Sequence, residues 1–210
     1  AGLSSISAMK LCILLSDEFK VTVKTGDIHD NNTIEKLEKY IMLAPKLRTY
    51  EKREGYPLTG SQKGIFAECS KNPDSTVYNI PFLFELENAI DEQKLADALT
   101  KMVNAHSYLL TKVYLNSDGE MVQSPGEDKF IPKIIKTTNS EFEALKENLV
   151  RPFKLEKGRL FRAEIYLTED KKYLFTDFHH IIADGNSYDI IFEDINKAYR
   201  GEKLESETYT

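Results

Sequence analysis

Alternating apolar residues and helical periodicities predict an α/β fold: a two-layer sandwich built on a mixed sheet, preceded by a short all-helical segment. Three observations carry that prediction. Tyr78, Ile80, Phe82, Phe84 and Leu86 fall at every second position, and so do Phe161, Ala163, Ile165 and Leu167, which is the period of a half-buried strand. Leu95, Leu99, Met102 and Val103 recur at the spacing of one helical face. Residues 44–54 have no apolar periodicity and dense mixed charge, the composition of a linker. They divide the chain into residues 1–43 and 55–210.

Composition narrows the function classes. The chain has 210 residues, 41% hydrophobic and 30% charged, an ordinary globular balance. A net charge of −6 without a basic stripe argues against a nucleic-acid surface. No apolar run reaches the roughly 20 residues that span a bilayer, so no membrane partner is expected, and a cytoplasmic location is the default. The two cysteines, Cys12 and Cys69, sit in apolar helical contexts and read as reduced thiols. Ala1 in place of an initiator methionine suggests a piece of something longer.

Taken in order, Ile6, Met9, Ile13 with Leu11, Leu14, Leu15 and Phe19 fit an amphipathic helix that Ser4 or Ser5 starts. Val21 and Val23 form a short extended stretch, and Asp27–Asn32 is turn-like. Thr33 opens a second helix through Leu37, Tyr40 and Ile41. Two helices alone make a poor core. Past the linker, a helix through about Cys69 precedes the strand at Tyr78–Leu86, where Pro81 points to an edge or bulge. A helix over Asp91–Ala105 follows, and His106 continues its apolar face as a core residue. Asn116-Ser117-Asp118-Gly119 closes a hairpin. Ile131–Ile135 is a further strand, Ser140–Val150 a helix, and Phe161–Leu167 pairs with the run ending at His179. A last helix runs from Ser187 to about Tyr199, and Gly201 ends it.

The chemistry concentrates in His179-His180-Ile181-Ile182-Ala183-Asp184-Gly185, between that last strand and last helix. Alternation sends the two histidine side chains to opposite faces of the strand: one ring can pack into the sheet while the other faces a cleft. Asp-Gly turns the chain, and Asn186 or Ser187 can cap the helix. Adjacent histidines on opposite faces cannot easily share an ion, so no metal is expected.

The stretch His179–Gly185 resembles the HHxxxDG signature of condensation domains of non-ribosomal peptide synthetases, members of the chloramphenicol-acetyltransferase-like acyltransferases. Pro57-Leu58-Thr59-Gly60-Ser61-Gln62-Lys63 resembles the first motif of that family, and Asn104–Thr111 occupies the place of its second. Gly2-Leu3-Ser4-Ser5-Ile6 and Ala8-Met9-Lys10-Leu11 resemble the second-helix region of a peptidyl carrier protein.

The resemblance implies a partial carrier domain over 1–43, a linker over 44–54, and the N-terminal lobe of a condensation domain over 55–210. It implies amide formation between carrier-bound acyl and aminoacyl thioesters. His180 is then the reactive histidine and His179, Asp184 and Gly185 its support. On this reading Asp184 pairs with a base such as Lys63, and Gly185 permits a turn or close approach that a side chain would block. Ser5 is the implied attachment point of covalent 4′-phosphopantetheine; as residues alone it is equally a plain helix cap. The implied partners are loaded carriers and neighbouring synthetase domains, including a C-terminal condensation lobe. An epimerisation domain shares HHxxxDG but usually continues Val-Ser-Trp, against Asn186-Ser187-Tyr188 here. A non-catalytic lobe that only docks carriers is the third alternative.

Overall fold

A computed structural model of the chain describes residues 5–46, 53–126 and 129–206. The chain forms two compact units, Ala1–Lys52 and Arg53–Tyr209. Most of the expected linker, residues 47–52, lies outside the described residues.

Among its described residues, the N-terminal unit holds three helices, α1 (Ser5–Phe19), α2 (Thr25–Asp30) and α3 (Ile34–Leu43). Helix α2 replaces part of the expected turn at Asp27–Asn32. The Lys24 backbone N–H donates to Asp27 Oδ2 at 2.7 Å, an N-terminal cap that composition alone reads as turn chemistry. Thr33 caps α3 by accepting from the Lys36 N–H at 3.3 Å. Cys12, Val21, Val23 and Ile28 make a small core, while Met9, Ile13 and Leu14 on α1 remain exposed.

The second unit begins with β1 (Tyr56–Pro57) and α4 (Gly60–Lys71), followed by β2 (Asn79–Leu86) and α5 (Glu92–Ala105). The hairpin strands are β3 (Lys112–Leu115) and β4 (Met121–Ser124). Then come β5 (Lys133–Lys136), α6 (Asn139–Lys146), β6 (Phe161–Leu167), β7 (Lys172–His179) and α7 (Gly185–Arg200). The main sheet runs β2-β7-β6-β5, and β1-β4-β3 form a second small sheet. Only the β5–β6 pair is parallel, so the main sheet is mixed as expected. β2 is an edge strand, which explains why Pro81 is tolerated: a strand edge does not need every N–H.

The period-two pattern sets the layers. Phe161, Ala163, Ile165, Leu174 and Phe178 point to one face and pack with Leu95, Leu99 and Ile191 of α5 and α7, the expected second layer. Tyr166, Tyr173 and Phe175 point to the other face, where Phe142 of the short helix α6 covers them. Phe178 is fully buried and meets Phe82, Phe161, Tyr188 and Phe192 in tilted or edge-on contacts. Truncating such a residue costs about 3–5 kcal/mol, so this cluster firmly fixes the end of β7, immediately before the two histidines. His106 is 3% exposed and pairs with Asp194 Oδ2 at 2.8 Å, the structural role expected of it.

Candidate functional site

β7 ends on His179, and His180 follows it in the turn. His179 is 4% exposed, whereas His180, one residue beyond the strand, is exposed. Tyr78 and Phe153 pack near the His179 ring at centroid distances of 6.2 and 5.8 Å. Burial, with the nearby His180 adding to it, pushes His179 down to about 4, so this imidazole is neutral. Its Nδ1 accepts the Ile181 backbone N–H at 3.1 Å. That leaves the ring proton on Nε2, which faces Cys69 Sγ at 3.6 Å. A cavity of about 510 Å³, walled by Phe66, Cys69, Val113, Phe153 and Leu155, opens on this His179 side of the motif.

His180 has the opposite tautomer. Its Nδ1 lies 2.9 Å from the Ala183 carbonyl oxygen, and a carbonyl can only accept, so a neutral His180 donates from Nδ1. Nε2 then keeps its lone pair. The backbone is held as well: the His180 N–H donates to Tyr78 O at 2.8 Å and the Ile182 N–H to His179 O at 3.1 Å. The same Ala183 carbonyl accepts from Tyr188 Oη at 3.2 Å. Burial and the Asp184 charge raise the Tyr188 pKa, so its hydroxyl remains the donor.

Asp184 is the N-cap of α7. Its Oδ1 accepts the Ser187 N–H at 3.2 Å and the Ser187 hydroxyl at 2.9 Å, and Ser187 Oγ accepts the Asp184 N–H at 3.3 Å. This corrects the expectation that Asn186 or Ser187 caps the helix: Asp184 is the last extended residue, so its side chain reaches the free first-turn N–H groups. Lys63 forms no ion pair among the described residues, so it is not the partner of Asp184. Gly185 opens α7, and a Cβ there would meet nothing within 4 Å. Within the described residues, Gly185 is required neither for a left-handed turn nor for a close approach.

The sequence pattern gave Gln62, Cys69 and Tyr78 no part in the histidine site, yet all three touch the histidine turn. Gln62 falls within Pro57–Lys63, the stretch that resembles the family's first motif, and stands three residues after Thr59, the spacing of a capping box.

In the N-terminal unit, Ser5 is the first described residue of the 15-residue helix α1. Gly2, Leu3 and Ser4 lie outside the described residues, as does the side chain of Ser5.

The family model for the condensation domain matches residues 52–210, and that for the phosphopantetheine attachment site matches residues 1–41. The chain belongs to the condensation domain family. Its segment 1–41 matches the kind of domain that carries phosphopantetheine covalently. Surfactin synthase subunit 1 of Bacillus subtilis (strain 168) is 29% identical over 211 residues, covering 97% of this chain and 6% of the relative. Bacitracin synthase 3 of Bacillus licheniformis is 30% identical over 210 residues, covering 97% of this chain and 3% of the relative. The chain therefore spans under a tenth of the length of these non-ribosomal peptide synthetase subunits.

Solved structures agree on the fold. The starter condensation domain of the rhizomide synthetase RzmA superposes with a TM-score of 0.64 at 20% identity, over 75% of this chain and 41% of that one. The first condensation domain of the CDA synthetase gives 0.62 at 15% identity, over 75% and 44%.

Proposed function

We propose that the chain is part of a non-ribosomal peptide synthetase and that His180 acts in amide bond formation between carrier-bound thioesters. The observation that carries this reading is the His180–Ala183 hydrogen bond, which leaves an exposed Nε2 lone pair at a fixed strand–helix junction. The amine of an aminoacyl thioester attacks the carbonyl carbon of an acyl thioester; a C–N bond forms, the C–S bond breaks, and the amine loses one proton. Nε2 of a neutral imidazole can take that proton as the tetrahedral intermediate forms, or hold the amine by a hydrogen bond while it attacks. His179 is built for support: neutral, buried, and turned toward the backbone. Asp184 supports the motif by capping α7.

Residues 1–43 are read as part of a peptidyl carrier domain, 44–54 as the linker, and 55–210 as the N-terminal condensation lobe. Ser5 is the proposed attachment residue for 4′-phosphopantetheine, whose thiol holds the acyl group as a thioester. The proposed partners are loaded carriers and the adjoining domains of the synthetase, and the proposed compartment is the cytoplasm.

The test uses the full synthetase module with both carriers loaded, comparing the parent with His180→Ala and following the dipeptidyl thioester by mass spectrometry. Loss of the dipeptide with loading intact is expected. Undiminished dipeptide would overturn the role of His180. If the variant instead stops equilibrating the stereochemistry of the bound residue, the domain is an epimerisation domain.

A further inference from the structure

We infer that Gln62, on α4, is a positioning residue for His180, holding the turn that aims its Nε2. The inference rests on the reading of His180 given above.

The geometry is specific. Gln62 Nε2 donates to the Ile181 carbonyl oxygen at 3.1 Å, across 119 residues of sequence, and to Gln123 Oε1 on β4 at 3.3 Å. Gln62 Oε1 accepts the Thr59 N–H at 3.0 Å. Each end of the amide thus faces a backbone group with a single possible role, a carbonyl at one end and an N–H at the other, so the amide orientation is unambiguous. Ile181 is the residue directly after His180, and its N–H is taken by His179 Nδ1 at 3.1 Å. Both backbone polar groups of Ile181 are therefore held by side chains rather than by strand or helix neighbours. Together with the His180 N–H to Tyr78 O bond, three successive peptide units around His180 are tied down. Cys69, also on α4, backs His179 from below. One helix thereby reaches the histidine turn twice, once through Gln62 to the Ile181 carbonyl and once through Cys69 to His179.

The consequence lies in the His180 ring. Its Nδ1–H donates to the Ala183 carbonyl only while residues 180–183 keep their turn, and it is that bond which leaves Nε2 as the acceptor. Releasing the Ile181 carbonyl loosens the turn and lets the imidazole proton move to Nε2, the tautomer that cannot accept from the amine. Small displacements of a reacting group are expensive: about 10- to 100-fold in rate for roughly 1 Å.

Gln62→Glu separates this role from a merely structural one. A glutamate at this position still accepts the Thr59 N–H, as in an ordinary capping box, but it cannot donate to Ile181. In the full module, the single-turnover rate of dipeptide formation should fall about 10- to 100-fold, with half-saturation by the acceptor carrier and the melting temperature little changed. In the 210-residue chain labelled with ¹⁵N-histidine, His180, assigned by loss of its signal in His180→Ala, should shift from the Nδ1–H toward the Nε2–H form at alkaline pH. Thr138→Ala removes the unrelated cap of α6 as a control; it should lower the melting temperature without moving either readout. A Gln62→Glu protein with the parental rate and tautomer would overturn the inference. So would a rate loss matched by a loss of fold, or a control that loses as much rate. Should His180→Ala leave bond formation intact, the functional reading fails, while the tautomer spectrum still decides whether Gln62 sets the His180 ring.

Discussion

Two buried ionisable side chains on one face of β7 respond to pH in opposite senses. Asp177 is fully buried, with Asn79 Nδ2 at 2.7 Å and Arg162 Nη1 at 3.3 Å, and its Oδ1 has no partner. Burial outweighs the Asn79 and Arg162 contacts and pushes it from 3.8 up to about 6. Between those values the native state holds more protons than the unfolded chain, so this group makes the fold less stable as pH rises through the window. His179, lowered from 6.5 to about 4, does the reverse: its neutral ring is lost as pH falls, and stability rises with pH over nearly the same range. Their contributions oppose each other, and removing one should expose the other. Asp177→Asn should therefore gain stability relative to the parent, on the order of 2–3 kcal/mol between about pH 4 and pH 7. Urea denaturation at both pH values checks this, and a difference independent of pH would refute the burial argument.

At the scale of elements, α7 depends on Asp184 as its cap. Asp184→Ala should cost about 1 kcal/mol of stability, read as a lowered denaturation midpoint with an unchanged slope. The Asp184→Ala/Ser187→Ala double variant should lose less than the sum of the two single losses, since the two side chains bond to each other. These elements also show what the sequence could tell. The strands β2, β6 and β7 were legible because their alternation is strict, and α5 because its apolar stripe is continuous. α2 was not, because six residues containing Gly26 and two aspartates have low helix propensity and read as a turn. α6 is shorter than its pattern suggested: the apolar spacing continues to Leu149, which is buried but lies past the last helical residue, Lys146. Leu109 and Leu110, just ahead of the hairpin strand β3, form a 3₁₀ turn. There Leu110 meets Gly126, where any Cβ would overlap the Leu110 carbonyl. The run His179–Gly185 stood out in the sequence, and of its two histidines His179 is buried and His180, past the strand's end, is exposed. The side chains that hold them were not legible, because a contact such as Gln62 to Ile181 joins positions far apart in the chain and leaves no periodic trace.

For the whole molecule, the similar solved domains are more than twice as long as the part of them that this chain matches: the overlap covers 41% and 44% of the two compared. Mixed with two loaded carriers, the 210-residue chain should therefore make no dipeptide measurable by mass spectrometry. Turnover by this chain alone would contradict the view that residues beyond the matched lobe complete the reaction site.

The register of β2 against β7 sets Asn79 opposite His179 and Leu86 opposite Lys172. A segment made early in synthesis thus waits for one made late: β7 has β6 as a hairpin neighbour, but the intervening chain must be closed into a loop before β2 pairs with β7. The N-terminal helices rely on nearby contacts and face no such delay. The histidine turn, gripped by Tyr78 on one side and by α4 on the other, acquires its shape only when that long loop closes. In pulsed hydrogen exchange during refolding, the His180 amide, which donates to Tyr78 O, should gain protection with the amides of β2, after those of α5. The order in which the polypeptide emerges is thereby written into the reactive turn, which becomes competent at the end of folding.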